Sequence, residues 1–388
     1  MSLEANVGAV LSSGVERGAV AGVTAAVTDR EGLLYEAGFG ERAAGQGAAM
    51  TPDTVGNIAS MTKAITGTAA MQLVERGVLD LDAPAAAWAP YLGAVQVLDG
   101  FAADGSPVLR PPKRAITLRH LLTHTAGFGY ARWNAPIDRF AKQAKLPLAN
   151  TGDIRGLMTP LVFDPGERWL YSIGMDWAGK VIEAAAGQSL GRYMQESIFE
   201  PLGMTSTSYR ISPEMRARLA KVHRRQDGAL VPTMVETRQD PPVENGGGGL
   251  YSTVGDYARF VRMILNGGEG NGNRLLKPET VAAMSRNQMG ECRVCLLPTT
   301  DPAGSLDAEF FPGLEKTWGL TFMINEAKAP TGRSAQSLAW AGLANSYFWI
   351  DPAKGIGGVF LAQLYPFVDE RALALYLDFE TAVYAGLG

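Results

Sequence analysis

The chain is poor in cysteine, in excess charge and in long apolar runs, and each shortage narrows what it can be. Its only cysteines, Cys292 and Cys295, form a single CxxC pair; a tetrahedral zinc site needs two more ligands, and no second pair exists. The formal net charge of −4 gives no basic surface for a phosphate backbone, so nucleic acid is not an expected partner. The uncharged segment 334–350 contains Ser, Gln and Asn and is too short and too polar for a convincing membrane span.

Signals for export and for metal binding are equally scarce. The first basic residue is Arg17, so the N-terminus lacks the positive region of a signal peptide. So few cysteines are consistent with a reducing compartment. These features predict a cytoplasmic protein with no membrane partner.

His120 and His124 have the spacing of metal ligands on a helix, but no glutamate stands between them in the HExxH manner, and no metal is predicted.

What is present is the composition of a globular protein, 46% hydrophobic and 19% charged among 388 residues. Helical patterns are predicted at 4–17, 60–76, 117–124, 174–186, 190–199, 254–266 and 369–384. Strand patterns are predicted at 19–28, 33–38, 317–324, 337–342, 346–350 and 357–364. The stretch 93–114 is predicted to be a loop.

Strands near both ends of the chain, with helices between them, predict an α/β (α+β) fold. In this fold an antiparallel sheet is formed by the N- and C-terminal segments, flanked by helices, with a large and mainly helical insertion. We expect an α/β domain from residues 1–75 plus 245–388 and a mainly helical domain at 76–244, with the active site between them.

The clearest chemical signal is Ser60-Met-Thr-Lys63, at the start of a predicted helix. Residues three apart on a helix share a face, with β-carbons roughly 5–6 Å apart, so the hydroxyl and the amine can touch. The following stretch, 64–74, carries no charge, which predicts a buried helix. Burial lowers the pKa of a lysine and lets its amine accept the serine proton. Ser-x-x-Lys alone is also compatible with a capping serine beside a snorkelling lysine.

Together with further motifs in the same order, this segment resembles the serine β-lactamase-like superfamily, which includes class C β-lactamases and penicillin-binding proteins. The matching segments are Asn57–Lys63, Ala69–Pro84, Ile116–Gly127, Pro165–Ser172, Pro201–Met204 and Gly247–Thr253. The resemblance runs from about residue 20 to the C-terminus and implies the class C β-lactamase-like fold.

The resemblance also implies Tyr171 as the partner of Lys63, relaying the serine proton and later protonating the leaving group. The alternative for Tyr171 is a structural aromatic. The usual Tyr-x-Asn of the family is here Tyr171-Ser-Ile173, so a substrate contact from that asparagine is not implied.

A second departure replaces the family's Lys-Thr-Gly by Trp340-Ala-Gly342, which resembles the family VIII carboxylesterases and their acyltransferase relatives. Because a buried carboxylate without a cation is costly, neutral substrates are predicted. The resemblance implies the backbone N–H groups of Ser60 and Leu343 as an oxyanion hole. It implies Gly342 as a point of close approach to the substrate and Trp340 as part of the acyl-pocket wall.

A competing nucleophile is offered by Gly187-Gln-Ser189-Leu-Gly191, which fits the GxSxG pattern of lipases. The lipase elbow needs a strand before the serine, but the residues before it are predicted to be helical. Ser189 is therefore predicted to cap the next helix. His223 is the only histidine downstream, and no aspartate lies between the two.

The residues together with this resemblance predict a serine carboxylesterase that hydrolyses small neutral esters through an acyl-enzyme on Ser60, without a metal or organic cofactor. A small-molecule ester is the expected ligand, short-chain or aryl by resemblance, and the oligomeric state is not predicted. The nearest alternative is an acyltransferase using the same serine. A β-lactamase or D-amino-acid peptidase, with weak β-lactam hydrolysis left open, and a catalytically inactive scaffold are further alternatives. The loops 93–114, 128–150 and 290–313 are expected to shape the pocket.

Overall fold

The computed structural model describes residues 2–387. Along the chain, a hairpin near the N-terminus is followed by a mainly helical segment and then by a second group of strands. The α-helices are α1 (Leu3–Glu16), α2 (Thr62–Glu75), α3 (Leu118–Leu122), α4 (Ala135–Gln143), α5 (Gly174–Ala186), α6 (Leu190–Met194), α7 (Glu200–Leu202), α8 (Pro213–Ala217), α9 (Val254–Leu265), α10 (Pro278–Met284) and α11 (Glu370–Gly386). The strands are β1 (Gly22–Thr28), β2 (Leu33–Gly40), β3 (Gly56–Asn57), β4 (Val97–Phe101), β5 (Pro107–Arg110), β6 (His223–Gln226), β7 (Ala229–Pro232), β8 (Tyr251–Ser252), β9 (Glu269–Gly270), β10 (Asn273–Arg274), β11 (Lys316–Trp318), β12 (Met323–Asn325), β13 (Leu338–Gly342), β14 (Ser346–Asp351), β15 (Ile356–Leu361) and β16 (Leu364–Tyr365).

The central sheet joins the two ends of the chain. Within residues 2–387 it has seven strands in the order β11-β12-β13-β14-β15-β1-β2, and every neighbouring pair is antiparallel. Strand β1 lies beside β15, with Thr28 opposite Gly357. Its seven residues are all buried, as the apolar run in the sequence predicts. The predicted α/β (α+β) class, with an antiparallel sheet built from N- and C-terminal segments, is confirmed.

The two faces of the sheet are covered by different helices, and β14 shows how the sequence directs this. Side chains alternate between faces along a strand. Tyr347 stacks on Tyr376 of α11 with ring centroids 4.3 Å apart, whereas the next residue, Phe348, contacts Tyr257 of α9 on the other side. Helix α11 therefore seals one face and α9 the other.

Helix α2 lies in the core rather than on the surface. All residues from Thr62 to Leu73 are buried, which agrees with the charge-free stretch in the sequence. Gly67 makes this possible because a β-carbon there would lie 2.5 Å from the side chain of Thr321. The predicted buried helix is confirmed, and it begins with a short 3-10 turn over Ala59–Met61.

Two local predictions are wrong. The single strand predicted at 317–324 is two short strands, β11 and β12, separated by a turn at 319–322, because Gly319 packs against the carbonyl of Met284 and Thr321 takes a φ of +101°. The loop predicted at 93–114 contains the hairpin β4–β5. That hairpin is anchored by Arg110, which donates to the fully buried Asp164 at 2.8 Å.

The division into an α/β domain at 1–75 plus 245–388 and a helical domain at 76–244 stays a prediction. The segment 76–244 holds α3 to α8 together with two small hairpins, β4–β5 and β6–β7. Among residues 2–387, no helix combines the length and the apolar character that a membrane crossing requires.

Candidate active site

Ser60 lies in a backbone segment with unusual geometry. Ala59, directly before it, has a φ of +43°, a left-handed conformation that costs a residue with a β-carbon free energy. The side chain of Asn57 stabilises this turn by accepting the N–H of Ala59 at 2.7 Å. Ser60 follows in the 3-10 turn and is half-buried.

Lys63 directs its amine at Ser60. Its Nζ lies 3.1 Å from Ser60 Oγ, and the lysine side chain is fully buried. Burial lowers the pKa of Lys63 to about 7, while the charge of Asp176 acts in the opposite direction. A lysine with this pKa has a substantial neutral fraction at neutral pH and can accept a proton.

Tyr171 lies against the same lysine. Lys63 Nζ is 4.7 Å from the centre of the Tyr171 ring. Burial raises the pKa of Tyr171, and hydrogen bonding with Ser60 and Trp340 acts in the opposite direction. The phenol is therefore neutral near pH 7 and has a proton to donate. The structure thus brings together Ser60 and Lys63, as their spacing predicts, and Tyr171, as the family resemblance implies.

Trp340 has a different environment from the one predicted. Its indole N–H donates to Tyr171 Oη at 3.1 Å. Its ring packs between Tyr171 and Trp318, at centroid distances of 4.8 and 4.7 Å. It contacts a candidate catalytic residue directly, and it is not among the residues lining the cavity beside Ser60.

Gly342 permits a close approach, but to the turn before Ser60 and not to a substrate. A β-carbon at this position would lie 2.3 Å from the carbonyl oxygen of Ile58 and 3.4 Å from the β-carbon of Ala59. The end of β13 therefore packs directly against the turn that carries Ser60. Leu343, the next residue, lines the same cavity as Ser60, where its predicted oxyanion role requires it.

Two side chains at the site were missed by the sequence analysis. Tyr130 Oη lies 3.1 Å from Lys63 Nζ and donates to Asp176 Oδ2 at 3.0 Å. Asp176, in the first turn of α5, is almost completely buried. Its other oxygen accepts the N–H of Gly247 at 2.9 Å. A signal existed for Asp176, since it is an acidic residue among the apolar side chains at the start of a predicted helix.

A cavity of about 820 Å³ opens beside Ser60, within the range of small-molecule sites. Its wall includes residues from 129–152, 235–249 and 300–301, together with Leu343. The predicted contributions of 128–150 and 290–313 are confirmed. The contribution predicted for 93–114 is wrong, since none of the described residues lining this cavity comes from that segment.

The remaining candidates have local structural contacts. Ser189 is the N-cap of α6 and accepts the N–H of Arg192, so the predicted capping role is confirmed. His120 takes part in a capping box with Thr117, and His124 Nδ1 accepts the N–H of Ser172 at 3.3 Å. Both cysteines are free thiols, and burial raises the pKa of each. Within residues 2–387 no three or more His, Cys, Asp or Glu side chains are grouped as metal ligands would be.

Comparison with known proteins gives a consistent result. The family model described as Beta-lactamase matches residues 7–383. Monacolin J acid methylbutanoyltransferase of Aspergillus terreus is 34% identical over 349 residues, covering 86% of this chain and 82% of the relative. Lovastatin esterase of Penicillium rubens is 32% identical over 376 residues, covering 93% of each. Unliganded simvastatin synthase from Aspergillus terreus superposes with a TM-score of 0.82 at 30% identity, over 100% of both chains. The class C β-lactamase-like fold implied by the sequence is thereby confirmed.

Proposed function

Since the chain belongs to the beta-lactamase family, whose relatives here are serine hydrolases and acyltransferases, we propose that it is a carboxylesterase that cleaves small neutral esters through an acyl-enzyme on Ser60. The observation that carries this proposal is the 3.1 Å contact between Ser60 Oγ and the amine of the fully buried Lys63. A buried amine with a pKa of about 7 is suited to remove the serine proton at physiological pH.

In the proposed acylation, Ser60 Oγ attacks the ester carbonyl as its proton passes to Lys63. The backbone N–H groups of Ser60 and Leu343 would hold the oxyanion. Tyr171, neutral because of its raised pKa, protonates the departing alkoxide, and the alcohol leaves. Lys63 then passes the proton that it took from Ser60 to Tyr171, so both side chains are again neutral. Water then attacks the acyl-serine by the same route in reverse.

The preference for neutral esters is supported by the surroundings of Trp340. The family position that holds a lysine has an indole here, and its N–H is occupied by Tyr171. Residue 340 therefore supplies no cation to a substrate carboxylate, which would lose water without gaining that partner. The same reasoning makes β-lactam or D-amino-acid peptide hydrolysis a minor activity at most.

Acyl transfer to a larger alcohol is the second candidate. One relative is named for such a transfer, as a monacolin J acid methylbutanoyltransferase, whereas another is named as a lovastatin esterase. The cavity of about 820 Å³ exceeds what a short-chain ester alone would fill, and it has room for an acceptor beside the acyl-serine. The acyl-enzyme is the same; only the molecule that attacks it differs.

The test uses hydrolysis of p-nitrophenyl acetate and butyrate by the wild type, Ser60→Ala and Ser189→Ala, with nitrocefin in parallel. We expect Ser60→Ala to abolish ester turnover and Ser189→Ala to retain it, because Ser189 only caps α6. Full activity of Ser60→Ala would exclude Ser60 as the nucleophile. A rate of nitrocefin hydrolysis above the rates for the two esters would indicate that the protein is a β-lactamase and not an esterase.

The second candidate is tested by adding alcohols of increasing size to the butyrate reaction. Formation of a new butyrate ester in proportion to acceptor concentration supports acyl transfer. Release of butyric acid alone, whatever the acceptor, supports hydrolysis. Labelling of Ser60 by a phosphonate probe distinguishes both from an inactive scaffold, which would not react.

A further inference from the structure

The amine of Lys63 has two hydrogen-bond partners besides Ser60, and neither belongs to the predicted machinery. Nζ lies 2.6 Å from the carbonyl oxygen of Gly247 and 3.1 Å from Tyr130 Oη. A carbonyl oxygen can only accept a hydrogen bond. The phenol of Tyr130 could accept or donate, so its direction depends on what else it binds.

Asp176 decides that direction. Tyr130 Oη lies 3.0 Å from Asp176 Oδ2. Burial raises the pKa of Asp176, but the charge of Lys63 and the hydrogen bonds from Gly247 and Tyr130 oppose that rise and favour the ionised carboxylate, which can only accept. The single phenol proton therefore points at Asp176, and the phenol oxygen presents a lone pair to Lys63. The other oxygen, Oδ1, accepts the N–H of Gly247 at 2.9 Å and fixes the peptide unit next to the carbonyl that Lys63 binds. One carboxylate thus holds both partners of the amine.

The consequence follows from counting hydrogens on the amine. A neutral lysine has two N–H donors and one lone pair. Gly247 and Tyr130 take both donors, so the lone pair is left for the third neighbour, Ser60 Oγ. We propose that Asp176 is a positioning residue that acts through Tyr130 and Gly247 to aim the lone pair of Lys63 at the Ser60 hydroxyl. The proposal rests on the assignment of Ser60 and Lys63 as nucleophile and base.

The step that this arrangement serves balances without another reactant. The Ser60 O–H bond breaks, a Nζ–H bond forms, and Ser60 Oγ forms a bond to the ester carbonyl carbon while the C=O π pair moves onto oxygen as the oxyanion. Lys63 becomes an ammonium with three donors, and all three have acceptors already in place. Asp176 supplies the compensating negative charge within the buried site.

Among residues 2–387, no other charged side chain has these contacts with the partners of Lys63. The titratable groups facing it are Tyr130, Tyr171, His124 and Asp176. Burial raises the pKa of both tyrosines and lowers the pKa of His124, so all three are neutral near pH 7. Asp176 is the acid whose charge raises the pKa of Lys63.

Gly247 shows how closely these groups are packed. A β-carbon at this residue would lie 2.6 Å from Asp176 Oδ2 and 2.7 Å from Tyr130 Oη. Any side chain there would separate the phenol from the carboxylate. Residues 246–249 are all glycine. At Gly247 the missing side chain leaves room for the contact between Tyr130 and Asp176 that orients the phenol.

The test compares pH profiles of kcat/KM for p-nitrophenyl acetate in the wild type, Asp176→Asn and Asp256→Asn. An asparagine amide at 176 would donate to Tyr130, turn the phenol proton towards Lys63 and occupy the lone pair. We expect kcat/KM to fall by roughly 100-fold or more, in the range of general-base effects. The acidic limb of the profile should move to lower pH, because the charge that raises the pKa of Lys63 is gone.

Asp256→Asn is the matched control, since it neutralises another buried, hydrogen-bonded carboxylate that makes no contact with Lys63 among the described residues. Asp256→Asn should keep the acidic limb of the wild-type pH profile, and its kcat/KM should stay within about threefold of the wild-type value. An Asp176→Asn enzyme with those same properties would overturn the proposal while leaving the function intact. Full activity of Ser60→Ala would instead overturn the function itself.

Tyr130→Phe keeps the test decisive if Asp176→Asn does not fold. It retains the carboxylate and removes only the phenol oxygen, and we expect kcat/KM to fall by about 10-fold with the melting curve preserved. Where both variants fold, Asp176→Asn should cost less in the Tyr130→Phe background than in the wild type. Equal costs in both backgrounds would show that Asp176 does not act through Tyr130.

Discussion

Replacing Trp340 by Phe distinguishes a contact with Tyr171 from a contact with substrate. The change keeps an aromatic ring between Tyr171 and Trp318 but removes the indole N–H that Tyr171 Oη accepts at 3.1 Å. That hydrogen bond opposes the rise in the pKa of Tyr171 caused by burial. Without the indole N–H, the pKa of the Tyr171 phenol is higher. The phenol proton is then also free to point towards residue 340.

The magnitude follows from the worth of one neutral hydrogen bond, about 0.5–1.5 kcal/mol net. If that bond strengthens as the phenol gives up its proton, its loss lowers kcat by roughly 2- to 13-fold. KM should stay near the wild-type value, because Trp340 is not among the residues that line the cavity beside Ser60.

The assay measures kcat and KM separately with p-nitrophenyl butyrate for the wild type, Trp340→Phe and Trp318→Phe. Trp318 is a matched control, since it is a buried indole in the same aromatic cluster whose N–H donates to the carbonyl of Leu122. Trp318→Phe should lower the melting temperature with little change in kcat. A raised KM with unchanged kcat in Trp340→Phe would refute this reasoning and restore Trp340 as a wall of the acyl pocket.

Two further predictions concern the base and the strand beside it. In the wild type, kcat/KM for p-nitrophenyl acetate should rise with pH through about 7, because Lys63 accepts a proton only when neutral and burial lowers its pKa to about 7; a profile flat from pH 5.5 to 8.5 would contradict this. Gly342→Ala should reduce kcat/KM by about 10-fold or more, because the added β-carbon would lie 2.3 Å from the carbonyl oxygen of Ile58 and displace the nucleophile turn. Gly32→Ala, which meets open space, serves as its control, and equal activity of the two variants would rule out the steric effect.

Much of this arrangement could be predicted from local sequence. The charge-free stretch after Lys63 predicts a buried helix, and α5 has the predicted bounds of 174–186. Both depend on periodicity and composition within one helix, which a sequence displays directly. The pairing of Ser60 with Lys63 likewise follows from their spacing on one turn.

What could not be predicted depends on contacts between distant segments. Asp176 stands in the first turn of a helix, where an acid is commonly explained by the helix dipole, and its partners at 130 and 247 are far away in sequence. Trp340 could be assigned to the active site by resemblance, but which neighbour its N–H meets depends on packing with Tyr171. The break at 319–322 arises because Gly319 fits against the carbonyl of Met284, 35 residues earlier.

The pairing of β1 with β15 has a consequence for the nascent chain. Thr28 leaves the ribosome long before its partner Gly357, and at about 5–20 residues per second the delay is roughly 20–70 s. During that interval one side of β1 has no strand to bind, and for most of it β13, which packs against the turn that carries Ser60, has not yet been made. Ser60 therefore gains its complete surroundings only after β13 has been made. Sheet closure across such a separation is slow, so the surroundings of Ser60 cannot be complete before β13, β14 and β15 have joined the sheet.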